Sequence, residues 1–176
     1  KDRENLENEF HTIVRGMAYP FGTYNNTTVE CLKKAGLVYG RTVISSHSFT
    51  IPEDWLTLPA TCHHDDPELM NLAMKFVEEA PHQDSRMFYL WGHSYEFEAH
   101  DNWNVIEEFA AYMSNRDDIW YATNIQIYDY VQAYQRLMFS VNGTQIHNPT
   151  STELYFEKQG EEMDTYCILP GESLVL

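Results

Sequence analysis

Basic residues are scarce in this chain. Eleven lysines and arginines stand against 27 aspartates and glutamates, giving a formal charge of -16 and a pI near 4.7. That balance excludes nucleic acid as a partner, because holding phosphates takes clustered Lys and Arg. Cysteine is sparse too: Cys31, Cys62 and Cys167 are odd in number and widely spaced. They make neither a disulfide framework nor a zinc ribbon. No apolar run approaches the roughly 20 residues that cross a bilayer, so no membrane span is expected. No basic, then apolar, then small-residue signal segment opens the sequence, and nothing in it fixes a compartment. Internal repeats and low-complexity tracts are missing. So is an initial Met: Lys1 leads straight into a charged helical pattern, as expected of a processed chain or a piece of a longer polypeptide.

What is present is ample core material. Of 176 residues, 43% are hydrophobic and 14% aromatic, enough for one domain. Leu6 and Phe10 lie four apart among charges and predict a one-sided helix over residues 1–12. The apolar run 13–19, ended by Pro20 and Gly22, predicts a strand and turn. Thr27 and Glu30 have capping-box spacing, opening a helix with Val29, Leu32 and Ala35 inward and a stop at Gly36. Residues 37–43 predict a strand broken by Gly40. Residues 45–65 show no period and read as a long loop, the kind of segment that often carries function.

Asp66-Pro67 marks a helix start, followed by Leu69, Leu72, Ala73, Phe76, Val77 and Ala80 at helical spacing. The continuous apolar run 87–91 predicts a strand buried on both faces. Asp101 or Asn102 caps a helix with Trp103, Ile106, Phe109, Ala110 and Met113 on one face. A short strand is expected at 120–122, then a long helix through Ile127, Val131, Tyr134 and Met138. From Ser140 the turns Asn142-Gly143, Asn148-Pro149 and Pro170-Gly171 punctuate short β segments. Strands alternating with helices predict an α/β fold with a mostly parallel sheet or barrel. The expected division is 1–139 for the α/β part and 140–176 for a β extension.

In parallel α/β folds chemistry gathers at the carboxyl ends of strands. Three such ends are predicted: Tyr19-Pro20-Phe21-Gly22, His93 after Leu90-Trp91-Gly92, and Asn124 after residues 120–123. Asp54, Trp55, His63, His64, Asp65 and Asp66 come from the intervening loop. A His to move a proton, carboxylates to orient it and aromatics to exclude water or stack on sugar rings make an acid/base pocket. The bland readings stand beside it. His93 can simply cap a strand, and His63 and His64, though metal-type residues, are sequence neighbours, which point in different directions and seldom share a metal. Sequons at Asn25, Asn26 and Asn142 are near background frequency.

The segments GMAYPFGTYN (from Gly16), LKKAGLVYGRTV, MFYLWGHSYEFE (from Met87) and DDIWYATNIQIYDYVQAYQRL (from Asp117), in this order, resemble the polysaccharide deacetylases, the NodB-homology group or carbohydrate esterase family four. The resemblance runs over about 140 residues. It implies a distorted (β/α) barrel, here without its first strands, and a metal-dependent hydrolase removing N-acetyl or related acyl groups from a carbohydrate. A divalent metal, usually zinc, is implied with it. By resemblance His93 is the general acid, Leu90 and Trp91 wall the acyl pocket, and Tyr19 to Gly22 form one side. Asp54 is the carboxylate that orients His93, with Trp55 as pocket wall. The family's Thr-Phe-Asp-Asp and His-x-x-x-His metal ligands do not occur in these residues, which leaves His63 and His64 as metal candidates. Ala18 stands where many members carry an Arg. The alternative is a non-catalytic module of the same fold that binds sugar or protein. Under either, open sheet edges predict a homodimer or a complementing N-terminal segment.

Overall fold

The computed structural model describes residues 1–78, 85–158 and 164–176. It divides into two compact units, Lys1–Trp120 and Tyr121–Leu176. No described helix is long and apolar enough to cross a membrane.

The first unit opens with α1 (Asp2–Phe10), as its Leu6/Phe10 spacing predicts, though none of its residues is buried. Glu7 anchors it, accepting from Arg3 at 2.7 Å and from the Val14 N–H at 3.0 Å. After β1 (Gly16–Ala18) a tight 3-10 turn spans Pro20–Gly22. Helix α2 (Asn26–Lys34) is capped by Asn25, whose side chain accepts from the Thr28 N–H at 2.9 Å. The expected Thr27–Glu30 box does not form, because Asn25 is as good a cap two residues earlier; Glu30 pairs with Lys33 instead. Of the three inward positions, Leu32 is buried, Val29 packs partly and Ala35 is exposed. Strand β2 (Tyr39–Ser45) runs unbroken through Gly40. A Cβ there would lie 2.9 Å from the Leu56 carbonyl oxygen and from the Tyr19 ring, so this glycine serves close packing, not a break.

The expected long loop at 45–65 is core in its second half. It holds a 3-10 turn at Trp55–Thr57, β3 (Leu58–Ala60) and β4 (Cys62–His63), with Leu58, Ala60 and Cys62 fully buried. Such short interior strands have no polar face, so no alternation betrays them. β1 pairs parallel with β2, Ala18 opposite Arg41, and β2 pairs parallel with β3. One residue later the chain changes sheets: β4 pairs parallel with β5 (Leu90–Trp91). Thr61 makes the joint. Its N–H donates to the Tyr89 carbonyl at 2.8 Å, and its hydroxyl oxygen accepts the Tyr89 N–H at 3.0 Å.

Helix α3 (Leu69–Glu78) buries Leu69, Leu72 and Ala73. Ala80 lies outside the described residues. Asp66 and Pro67 form a turn ahead of the helix, with Asp66 accepting from the Glu68 and Leu69 N–H groups. The run 87–91 is not a strand buried on both faces. Only Leu90–Trp91 pair, both half-buried, because polar side chains rather than an apolar layer cover Trp91. Helix α4 (Ser94–His100) is not foreseen by periodicity; α5 (Trp103–Met113) starts after Asn102 as expected. Residues 120–122 form no strand, and Trp120 and Tyr121 are exposed.

In the second unit α6 (Asn124–Tyr134) is capped by Thr123, whose N–H donates to the Gln126 side chain at 2.8 Å. It stops before Met138, which belongs to β6 (Met138–Phe139). Antiparallel β6, β7 (Gln145–His147) and β10 (Ser173–Val175) form one sheet, and β8 (Leu154–Lys158) with β9 (Asp164–Ile168) another. Ala133, Leu137, Ile146, Leu154 and Ile168 make its core.

The barrel implied by the resemblance is not formed by the described residues. A barrel needs one hydrogen-bonded ring of strands, whereas these strands fall into four separate sheets of two or three. The architecture is mixed α/β with small sheets.

Candidate functional site

Parallel β4 and β5 end side by side, His63 opposite Trp91. The His64 N–H donates to the Trp91 carbonyl at 3.0 Å, prolonging the ladder by one bond. Beyond it the chain turns at 64–65. Strand alternation ceases there, which is why adjacent His63 and His64 do not point apart. Their ring centroids lie 4.2 Å from each other.

The partner that gathers them is Glu96, at the third position of α4. Its Oε2 lies 2.8 Å from His64 Nε2, 3.3 Å from His63 Nε2 and 3.2 Å from His93 Nδ1. The same oxygen accepts the His93 backbone N–H at 3.1 Å. Three imidazoles thus converge on one carboxylate oxygen. Burial works against ionising Glu96, but the bonds from His64, the His93 backbone and the His93 ring, with the charge of His63, outweigh it and hold the pKa at about 2. Burial lowers the His63 pKa, and His64 adds to this against the pull of Glu96 and Asp65.

His64 is the anchor. Its side chain is 2% exposed and its ring lies 4.2 Å from that of Phe97. Its Nδ1 sits 2.9 Å from Asp65 Oδ1, within ion-pair range but off the line of a hydrogen bond. Gly92 makes room for it: a Cβ on Gly92 would fall 1.8 Å from His64 Cδ2. A cleft of about 440 Å³ meets the cluster at His64 and Asp65 and is also lined by Leu69, His100, Asn102 and Val105.

The donor set fits a divalent cation. His63, His64 and Glu96 each present one ligand atom, all within 4.8 Å of one another. Asp65 stands beside the far nitrogen of His64, where a ligating imidazole usually meets a carboxylate, though without the hydrogen bond.

The other expected site residues are placed elsewhere. Asp54 does not meet His93. Its two carboxylate oxygens accept from the Leu56 N–H at 3.0 Å and the Thr57 hydroxyl at 2.9 Å, and the carboxylate on His93 is Glu96. Tyr19 is core, buried with its hydroxyl donating to the Leu56 carbonyl at 2.7 Å. Trp55 is buried as well. Leu90 packs with Cys62, Leu69 and Leu72. Pro20 is exposed, and Phe21 is wholly exposed with a left-handed φ of 57°. Gly22 has φ 68° and backs onto Val43. Of the predicted set, His63, His64, Trp91 and His93 come together. Trp91 meets His63 edge-on at 4.4 Å and His93 at 5.8 Å.

Glu96 and Arg41 escape the sequence reading. A Glu three residues after a helix-capping position is a capping signal, and His93 to Glu96 has that spacing. Arg41, whose guanidinium carbon lies 4.3 Å from the Trp91 ring centroid, carries no such signal. Comparison with protein-family models, curated proteins and solved structures finds no match to this chain.

Proposed function

We propose that the chain carries the centre of a divalent-metal hydrolase that removes N-acetyl or related acyl groups from a carbohydrate. One observation supports this reading above the rest: two imidazoles and a carboxylate share one focus at paired strand ends. His, His and Glu with a further position open is the donor set of hydrolytic zinc centres. A cation held by His63, His64 and Glu96 would supply Lewis-acid polarisation of the acyl carbonyl and make water a stronger acid there. His63 and His64 are presented by the β4 end, and the buried His64 ring is fixed by Glu96 and Phe97. His93, half-exposed and held through Nδ1 by Glu96, keeps Nε2 to hand a proton to the leaving amine. These ligands are not the Asp and His-x-x-x-His of the family the sequence resembles, so the metal set is this chain's own.

The test is native mass spectrometry with added zinc, followed by acetate release from N-acetylchitooligosaccharide. The expected result is one zinc per chain, lost in His63→Ala/His64→Ala, and hydrolysis that falls steeply in His93→Ala with zinc retained. Failure of the wild-type chain to retain zinc at micromolar concentration overturns the reading. Zinc and sugar binding without acetate release favours the non-catalytic module instead. Self-association through the open edge of β1 belongs to the same proposal, and a single monomer mass by sedimentation at micromolar concentration overturns that part.

A further inference from the structure

Arg41 lies on β2, with Ala18 of β1 and Leu58 of β3 as its register partners. In a chain with 27 acidic residues, cations are expected to find carboxylates. Arg3 pairs with Glu7, and Lys33 with Glu30. Arg41 pairs with none among the described residues. Its contacts are a long 3.5 Å bond to the Thr42 carbonyl and its stack on Trp91. The indole N–H of Trp91 is buried and has no acceptor among the described residues. A buried N–H left without an acceptor is unfavourable. Arg41 therefore keeps its fork of donors without a carboxylate among the described residues, stacked on the Trp91 ring. The same indole touches His63, 4.4 Å between ring centroids.

We infer that Arg41 and Trp91 form an oxyanion-binding subsite beside the His63–His64–Glu96 cluster, and that the sugar recognised there carries a negatively charged group. The guanidinium offers two parallel N–H bonds to a planar carboxylate or a phosphate, and the Trp91 face beneath it is the platform that holds the fork in place. Stacking on the indole pre-organises the fork and keeps the cation's weakly hydrated face out of water. The inference rests on the proposed sugar hydrolase for the identity of the ligand, whereas its test needs neither metal nor turnover.

The experiment is a tryptophan-fluorescence titration of the metal-free protein with glucuronate, glucose 6-phosphate and glucose. Saturable change is expected with at least one of the two anions and none with glucose. The responding anion tells carboxylate from phosphate. Binding is expected to weaken with added NaCl. In Arg41→Met, whose apolar body still covers the indole, affinity is expected to fall about tenfold or more. Arg41→Lys, which keeps the charge and loses the fork, is expected to fall between the two. Trp91→Phe is expected to remove the signal. Equal responses to glucose and the anions, no response to any, or unchanged affinity in both Arg41 variants overturns the inference. Loss of zinc binding in the wild-type chain with anion binding intact overturns the hydrolase reading alone.

Discussion

Gly92→Ala is the sharpest perturbation of the site, because two effects of opposite sign compete and the structure says which wins. Gly92 is not among the residues with a left-handed backbone, so alanine is conformationally allowed. Taken alone, the substitution stiffens the unfolded chain and stabilises by about 0.4–1 kcal/mol. The new Cβ, however, would lie 1.8 Å from His64 Cδ2, 2.7 Å from Nε2 and 2.9 Å from Cγ. Carbon atoms in contact prefer about 3.5–4 Å, so His64 or the β5 backbone has to move by roughly 2 Å. The ring has little room to retreat: it is buried, flanked at 4.2 Å by both His63 and Phe97, and held by Glu96 at 2.8 Å. Overpacking of this kind costs about 1–3 kcal/mol. The expected outcome in urea unfolding followed by circular dichroism is a net loss of about 1–2 kcal/mol, with zinc retention weakened in parallel. A Gly92→Ala protein as stable as the parent, or more so, refutes the placement of His64 behind Gly92 and with it the assembled ligand set.

Tyr19→Phe is expected to cost about 1–3 kcal/mol, through the unsatisfied Leu56 carbonyl, and to leave zinc retention unchanged; altered zinc stoichiometry would restore Tyr19 to the site. Phe21→Gly is expected to stabilise by about 1 kcal/mol in the same urea assay, since a fully exposed aromatic at φ 57° gives up strain and no packing. Alkylation at pH 8 is expected to label Cys31 fast and to spare Cys62, whose thiol burial and Asp66 push up to about 12; peptide mapping reads the sites, and early labelling of Cys62 contradicts its burial. For pH, Glu96 has a folded pKa of about 2 against an ordinary 4.5. Its contribution is complete above 4.5 and is lost as pH falls toward 2. His63, lowered from 6.5, acts in the same direction, because the unfolded state takes its proton first. Stability is expected to fall steadily below about pH 6.5, and Glu96→Gln to flatten the curve between 4.5 and 2; an unchanged slope contradicts the shared hydrogen bonds.

Much of the helical structure is legible in the sequence, because α2, α3, α5 and α6 repeat apolar residues at 3 and 4, although Ala35, Trp103, Ala110 and Tyr134, all expected inward, are exposed. The strands are not legible, for an identifiable reason. β3, β4 and β5 are two or three residues long, shorter than any window in which alternation can register. Calling 45–65 a loop follows from that, although Leu58 and Ala60 are wholly buried. The site was half visible. His63, His64 and His93 stand out by residue type and Trp91 by the resemblance, but no apolar period points to Glu96, because the seven residues of α4 are too few to show one. Asp54, expected on resemblance to orient His93, already has the local spacing of a cap to Leu56 and Thr57.

Thr61 bears on how the first unit melts. It is the single residue between a strand in one sheet and a strand in the next, and its hydroxyl also donates to the Ser48 carbonyl at 3.2 Å. Neither sheet can be pulled apart without withdrawing a strand from its neighbour. The amides of β2, β3, β4 and β5 are then expected to exchange with solvent as one cooperative unit. A ligand seated at the His63 end is expected to raise exchange protection at Arg41 as well, through Leu58, its register partner on β3.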